Sequence, residues 1–300
     1  MRLSRPYSSR TRRPWKALAA ILLASVPAQL HAGAWTQPPG GLYLKVAGLS
    51  FRSGEFLNAE GERLARQEKP STEELTDRNA TVYLEYGVRE RLTLVASLPY
   101  KRLVHKKTEV RHFESLDTTI TRIYPDEKES GFADLEMRLR WRLLEDPAVV
   151  SVTLGGKLPL GYEMQEESNV PLGTAEIDGD TRLLVGKSLY PLPGYVTSAI
   201  GYRRRGGIFS DEFLYSFEAG FTYGNLLVKG VAEGVRTFGD CGATGAMGML
   251  IGDQNSLKLA PGIIWSLSER LELGADLFHI VSGCNTAAGT TWALGLAFKR

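Results

Sequence analysis

Ala133-Asp-Leu-Glu-Met-Arg-Leu-Arg-Trp-Arg-Leu-Leu144 alternates without a break as far as Leu143. Leu135, Met137, Leu139, Trp141 and Leu143 take every second position, and Asp134, Glu136, Arg138, Arg140 and Arg142 take those between. Successive side chains of a strand point to opposite sides, so this stretch reads as a strand with one apolar and one ionic face. The same period recurs on either side of it. Leu271, Leu273, Ala275 and Leu277 alternate with Glu272, Gly274 and Asp276. Trp292, Leu294, Leu296 and Phe298 alternate with Ala293, Gly295 and Ala297.

Twelve such segments are legible, at 41–52, 80–88, 92–104, 132–144, 149–160, 180–190, 195–205, 213–223, 226–236, 255–266, 271–282 and 290–299. Their connections alternate short and long. Arg89-Glu90-Arg91, Glu145-Asp146-Pro147-Ala148, Pro191-Leu192-Pro193-Gly194, Gly224-Asn225 and Leu267-Ser268-Glu269-Arg270 are short, and most carry residues suited to tight turns. The stretches 53–79, 105–131, 161–179 and 237–254 are long, with shorter members at 206–212 and 283–289. The first two are charged and poor in apolar residues, which predicts solvated outer loops.

An even strand number, strands of 9–11 residues and alternating turn lengths are the signature of a transmembrane barrel. A soluble sandwich also alternates, but turns its apolar face to a second sheet. A membrane barrel turns it to lipid, and must close because an unpaired sheet edge is not tolerated in hydrocarbon. Tyr43, Tyr100, Trp141, Tyr190, Tyr195, Tyr202, Tyr215, Tyr223, Trp265 and Phe298 fall near strand ends, as interfacial aromatic girdles would. The expected fold is all-β, a single closed antiparallel transmembrane β-barrel of about 12 strands.

Charge and composition agree. The 300 residues carry 36 Lys+Arg and 34 Asp+Glu. Six of the basic residues (Arg2, Arg5, Arg10, Arg12, Arg13 and Lys16) lie in the first sixteen positions with no acid among them, so the rest holds 30 basic against 34 acidic residues, a net of −4. A phosphate-backbone binder would keep a basic face, so nucleic acid is not an expected partner. Residues 1–16 are basic, 17–30 are apolar, and Ala32-Gly33-Ala34 forms a small-residue site. That layout predicts a signal peptide over 1–34, cleaved after Ala34 or, as second choice, after Ala32. The barrel would occupy 35–300, in an oxidising compartment.

Three stretches resemble a group of bacterial outer-membrane barrels described as the MetA-pathway phenol-degradation family, or as outer-membrane transporters. They are Gly33-Ala-Trp-Thr-Gln-Pro-Pro-Gly-Gly-Leu-Tyr-Leu-Lys45, Gly131-Phe-Ala-Asp-Leu-Glu-Met-Arg-Leu-Arg-Trp-Arg-Leu-Leu144 and Leu259-Ala-Pro-Gly-Ile263. The resemblance implies a Gram-negative outer membrane and passage of small molecules.

By parity Lys45, Glu85, Lys101, Asp134, Glu136, Arg138, Arg140, Arg142, Lys157, Arg182, Arg203, Glu218, Lys229, Glu233, Lys258, Glu272 and Asp276 point inward. They line either a charge-selective pore or a network of ion pairs filling a narrow barrel. Arg138, Arg140 and Arg142 form a basic ladder suited to carboxylates or phosphates, with Glu136, Glu218 and Glu272 available to neutralise it. Cys241 and Cys284 fall in loops on one side, where a disulfide can form. His279-Ile-Val-Ser282 is the one pairing suited to a lipid hydrolase, and a spacing of three puts its side chains on opposite faces unless a bulge intervenes. Gly186-Lys187-Ser188 lacks the earlier glycine of a phosphate loop, because Thr181 stands there.

No enzyme activity, cofactor or metal is expected. The expected function is a monomeric passive channel for small solutes, aromatic or anionic ones among them, with outer-membrane lipids and the barrel-assembly machinery as partners. The alternative is a structural or surface-interaction protein with a plugged lumen.

Overall fold

The computed structural model describes residues 33–66, 70–113, 117–162, 172–241 and 253–300. The expected signal peptide lies outside these apart from Gly33 and Ala34, as does the glycine-rich stretch 242–248.

The strands in chain order are β1 (Leu42–Leu57), β2 (Arg63–Ala65), β3 (Thr72–Arg89), β4 (Leu92–Phe113), β5 (Thr118–Ile123), β6 (Glu127–Phe132), β7 (Asp134–Leu144), β8 (Val149–Pro159), β9 (Asp178–Ser188), β10 (Gly194–Arg204), β11 (Glu212–Tyr223), β12 (Leu226–Thr237), β13 (Asn255–Ser266), β14 (Leu271–Cys284) and β15 (Thr286–Lys299). Neighbours pair antiparallel around the sheet, and β15 returns to β1 through Tyr43↔Lys299 to Leu57↔Thr286, so the sheet closes. β6 and β7 are one wall strand, interrupted at Ala133, whose N–H donates to the Pro99 carbonyl. Counting them together and setting aside the short β2 and β5 leaves a wall of twelve strands.

Alternation decides which way each residue faces. Met137, Leu139, Trp141, Leu154, Phe217, Ile263, Trp292 and Leu294 are exposed on the outer wall, Leu154 and Leu294 to 69% and 67%. The inward set is buried or partly buried, and Glu85, Thr93 and Ser151 are wholly enclosed. Large apolar side chains outside and ionic ones inside is the reverse of a soluble sandwich, and closure leaves no wall edge. Gly224, at φ +60°, makes the two-residue turn with Asn225 between β11 and β12.

The structure corrects three expectations. The stretches 53–79 and 105–131 are not wholly solvated loops. β3 and β4 stay paired out to Thr72↔Thr108, β4 continues against β5 to Phe113↔Thr118, and this hairpin stands beyond the barrel wall. The stretch 283–289 is mostly strand, with only Asn285 between β14 and β15. Tyr43 and Tyr195 are not girdle residues: both face inward and are almost fully enclosed, whereas Tyr190, Tyr223 and Trp265 are exposed at strand ends. Parity alone settles those two rings, because Tyr43 shares the face of Lys45, and Tyr195 that of Thr197.

Five residues past Tyr100 on β4, where β3, β4 and β6 meet, His105 is buried between two carboxylates. Its Nε2 lies 3.1 Å from Glu73 Oε1 and its Nδ1 3.3 Å from Glu127 Oε2, with Arg66 Nη1 3.9 Å from Glu73. Hydrogen bonding to Glu73 raises the imidazole pKa above its ordinary value, and the Glu127 carboxylate adds to this. A raised folded-state pKa gives stability that is complete below the ordinary histidine value and lost as pH rises through the raised one. Amide protection in residues 72–78 and 103–113, taken relative to the base-catalysed exchange of an open chain at each pH, is therefore expected to fall on going alkaline of about 6.5. In His105→Gln that fall should vanish. An unchanged exchange profile in the variant would assign the hairpin's stability elsewhere.

Candidate functional site

The lumen is lined by ion pairs and hydrogen bonds, most of them between strands one or two places apart in the wall. Lys45 and Lys229 flank Asp276 at 3.4 and 3.3 Å. Glu272 meets Lys299 at 2.7 Å. Lys157 lies 3.1 Å from Asp134 and 3.3 Å from Asp178. Glu218 accepts from the Tyr195 hydroxyl at 2.5 Å, and Glu233 stands 3.6 Å from Lys258. Arg203 donates to Glu212 at 3.0 Å, and Lys101 donates to the Leu172 carbonyl at 3.2 Å. Each pairing answers the same demand, since a charge facing a narrow lumen needs a partner to offset its lost hydration.

The arginine ladder is mostly committed. Arg138 holds Asp180 through Nε and Nη2, at 3.0 and 2.8 Å, and Glu136 through Nη1 at 2.7 Å. Arg140 holds Glu85 at 3.1 Å. Arg142 lies at the short-turn end, 3.4 Å from Glu145. Of the three acids expected to neutralise the ladder, Glu136 does so, while Glu218 and Glu272 serve Tyr195 and Lys299. The other neutralising partners are Asp180 and Glu85.

Residues 33–41 lie inside the short-turn end as a strap against the wall. The Ser151 hydroxyl donates to the Ala34 carbonyl at 2.5 Å, and Arg140 Nη1 donates to the Trp35 carbonyl at 2.8 Å. The Gln37 N–H donates to Thr93 Oγ1 at 2.8 Å, and its side-chain amide donates to Glu85 Oε2 at 2.9 Å. Trp35 stands edge-on to Tyr195, and a Cβ on Gly186 would come within 2.7 Å of the Trp35 ring, so glycine is required for that approach. Ala34 is fully enclosed against Val149 and Leu184.

The long-loop end is narrowed from the other side. Leu172, between β8 and β9, is buried against the inward-facing Leu75 and Leu103, with Phe51 and Tyr162 beside it. The Tyr162 hydroxyl donates to Asp134, and Lys157 donates to Thr174 at 2.7 Å. A cavity of about 370 Å³ remains on the β7-to-β13 side of the lumen, with Glu136, Arg138, Arg182, Arg203, Glu233 and Lys258 among its walls.

Cys241 and Cys284 are joined by a disulfide, with Cα atoms 6.1 Å apart. The β13–β14 register slips between Leu257 and Lys258, which face Ser282 and Ile280, so β14 carries an extra residue at Val281. That bulge does not join His279 to Ser282: His279 Nδ1 is bonded to Thr290 Oγ1 at 2.8 Å. Among the described residues no group of three or more His, Cys, Asp or Glu is arranged to hold a metal ion. The strap, with Gln37, Thr93 and Ser151, was not foreseen, and neither were Tyr83, Asp178, Asp180 and Glu212. For Asp178 and Asp180 the signal was present, since they share the parity of Arg182.

Among solved structures, the chain is similar to an outer membrane channel from Pseudomonas putida F1, with a TM-score of 0.60 and 13% identity over 89% of this chain and 98% of that one. The translocator domain of the autotransporter NalP from Neisseria meningitidis gives 0.49 and 10% identity over 91% and 90%. The KdgM porin gives 0.45 and 6% over 84% and 98%. No family model matches the chain, and no curated protein matches it in sequence. The fold is that of an outer-membrane β-barrel.

Proposed function

We propose that the chain is a monomeric passive channel for small molecules in the outer membrane of a Gram-negative bacterium, inserted by the barrel-assembly machinery and bounded by outer-membrane lipid. One observation carries the reading. The lumen is polar and constricted at both ends, yet it retains a charged cavity of about 370 Å³ rather than a wall-to-wall packing of side chains. A twelve-stranded barrel stands between the filled eight-stranded type and the open sixteen-stranded porins. Its solute path is therefore narrow, and its selectivity is set by a few fixed charges. The resemblance to the MetA-pathway phenol-degradation barrels supports the same reading and suggests solutes of small-aromatic size. No enzymatic role is proposed, because His279 is engaged by Thr290.

Purified protein in planar bilayers should give discrete, small single-channel steps. The strap and the inward Leu172 favour a second reading, a closed structural barrel. A silent bilayer from protein with intact heat-modifiable gel migration would establish that one instead.

A further inference from the structure

Three guanidinium groups border the lumen cavity, and they are not equally occupied. Arg138 uses all three of its nitrogens on Asp180 and Glu136. Arg203 gives Nη1 to Glu212, and its Nε is buried without a partner. Arg182 gives only Nε, to Asp180 Oδ1 at 3.1 Å, and that carboxylate is already shared with Arg138. Among the described residues nothing accepts from Nη1 or Nη2 of Arg182. Its side chain is 30% exposed, so this planar pair of donors is open to the cavity. Opposite, Lys258 is held only at 3.6 Å by Glu233. Ala199 and Leu214 supply an apolar patch on the same wall, Leu214 facing inward and almost fully covered.

We propose that this cavity is a binding subsite for a small singly charged carboxylate bearing an apolar body. The parallel donors of a guanidinium fork match the two oxygens of a carboxylate. The hydrocarbon part of the ligand would lie against Ala199, with Leu214 packed behind it. Glu136 and Glu233, both on the cavity wall, oppose a second negative charge, which selects a monocarboxylate over a phosphate dianion. The cavity volume lies within the range of small-molecule sites. The subsite deepens the channel reading and rests on it for its physiological meaning, although binding itself can be measured without conduction.

The test uses hexanoate and its uncharged counterpart hexanamide on the full-length protein. Two readouts are needed: block of single-channel current in planar bilayers, and calorimetric titration of the detergent-folded barrel. Hexanoate should bind and block in a saturable way, and hexanamide should do neither. Arg182→Gln should weaken hexanoate more than tenfold in both assays. Arg182→Lys, which keeps the charge but loses the fork, should fall between. Heat-modifiable migration reports whether each variant is folded, and the wild-type comparison of acid with amide needs no variant. Equal effects of hexanoate and hexanamide, or hexanoate binding that survives Arg182→Gln, would overturn the subsite. Calorimetric binding by a barrel that conducts no current would uphold the subsite and overturn the channel reading.

Discussion

Arg140→Ala is expected to raise single-channel conductance several-fold and to lower the stability of the barrel at the same time. Arg140 is the joint between the wall and the strap. From β7 it donates Nη1 to the Trp35 carbonyl and Nη2 to Glu85, and Glu85 in turn accepts from Gln37 of the strap and from the Tyr83 hydroxyl. Glu85 has no solvent exposure at all. Deleting the guanidinium leaves that carboxylate with neutral donors only. Breaking one side of a buried pair in this way costs about 3–5 kcal/mol, because an uncompensated charge stays behind. The folded chain can relieve the cost by admitting water, and the water's route is past the strap. Three checks separate the two effects. Deleting residues 35–40 should give the same conductance increase. Adding Arg140→Ala to that deletion should change conductance little further, the signature of two changes acting on one element. Arg140→Gln with Glu85→Gln, which removes both charges, should recover most of the stability without re-forming the anchor to the Trp35 carbonyl. If Arg140→Ala conducts like the unaltered protein, the strap does not set the constriction.

The two faces of each strand were legible from period two alone, because parity fixes them, whereas closure and an outward apolar belt were read from the even strand number and the alternation of short and long connections. The charged inward positions followed from the same count. Sequence parity gives a face, however, and not a neighbour. Which acid meets Arg138 depends on the relative slide of β7, β8 and β9, and that register puts Gly155 opposite both Arg138 and Asp180. A glycine there leaves room for the guanidinium to reach across β8 to Asp180. The strap was hidden for another reason. Trp35-Thr-Gln-Pro-Pro-Gly-Gly41 has no alternation, so nothing local distinguishes a solvated leader from a segment packed in the lumen. Its partners Thr93, Ser151 and Glu85 are far off in the chain and become neighbours only on closure. The overhanging hairpin was obscured by composition. Thr72-Glu-Glu-Leu-Thr-Asp-Arg78 reads as loop because both of its faces are largely polar, and it is held as strand by continuing a ladder begun inside the wall. The charged lumen thus makes the site legible as a set of residues, while the open fork of Arg182 emerges only when its neighbours among the described residues are placed.

Removing the disulfide is the second large effect. Cys241 and Cys284 are separated by 43 residues, and the closed loop contains β13 and nearly all of β14. In the chain-entropy account, a crosslink over that span restricts the unfolded chain by roughly 4 kcal/mol. The folded barrel loses little, because the same corner has other ties: the Asn285 side-chain amide donates to the Asp253 carbonyl at 3.0 Å, Asn255 Oδ1 accepts from the Thr237 N–H at 2.8 Å, and Asn255 pairs with Cys284 in the ladder. Cys241→Ser with Cys284→Ser is therefore expected to unfold at clearly lower urea in detergent micelles while keeping native heat-modifiable migration and an unaltered conductance step. Reductant should reproduce the shift in the natural chain and add nothing to the double variant. Either single variant should match the double, since one sulfur alone closes no loop. An unchanged urea midpoint would mean that the unfolded chain is already confined in the micelle, so that the crosslink removes no further freedom. A conductance change together with an unchanged midpoint would place the bond's role at the mouth of the lumen instead, where Val235 and Ser256 border the cavity.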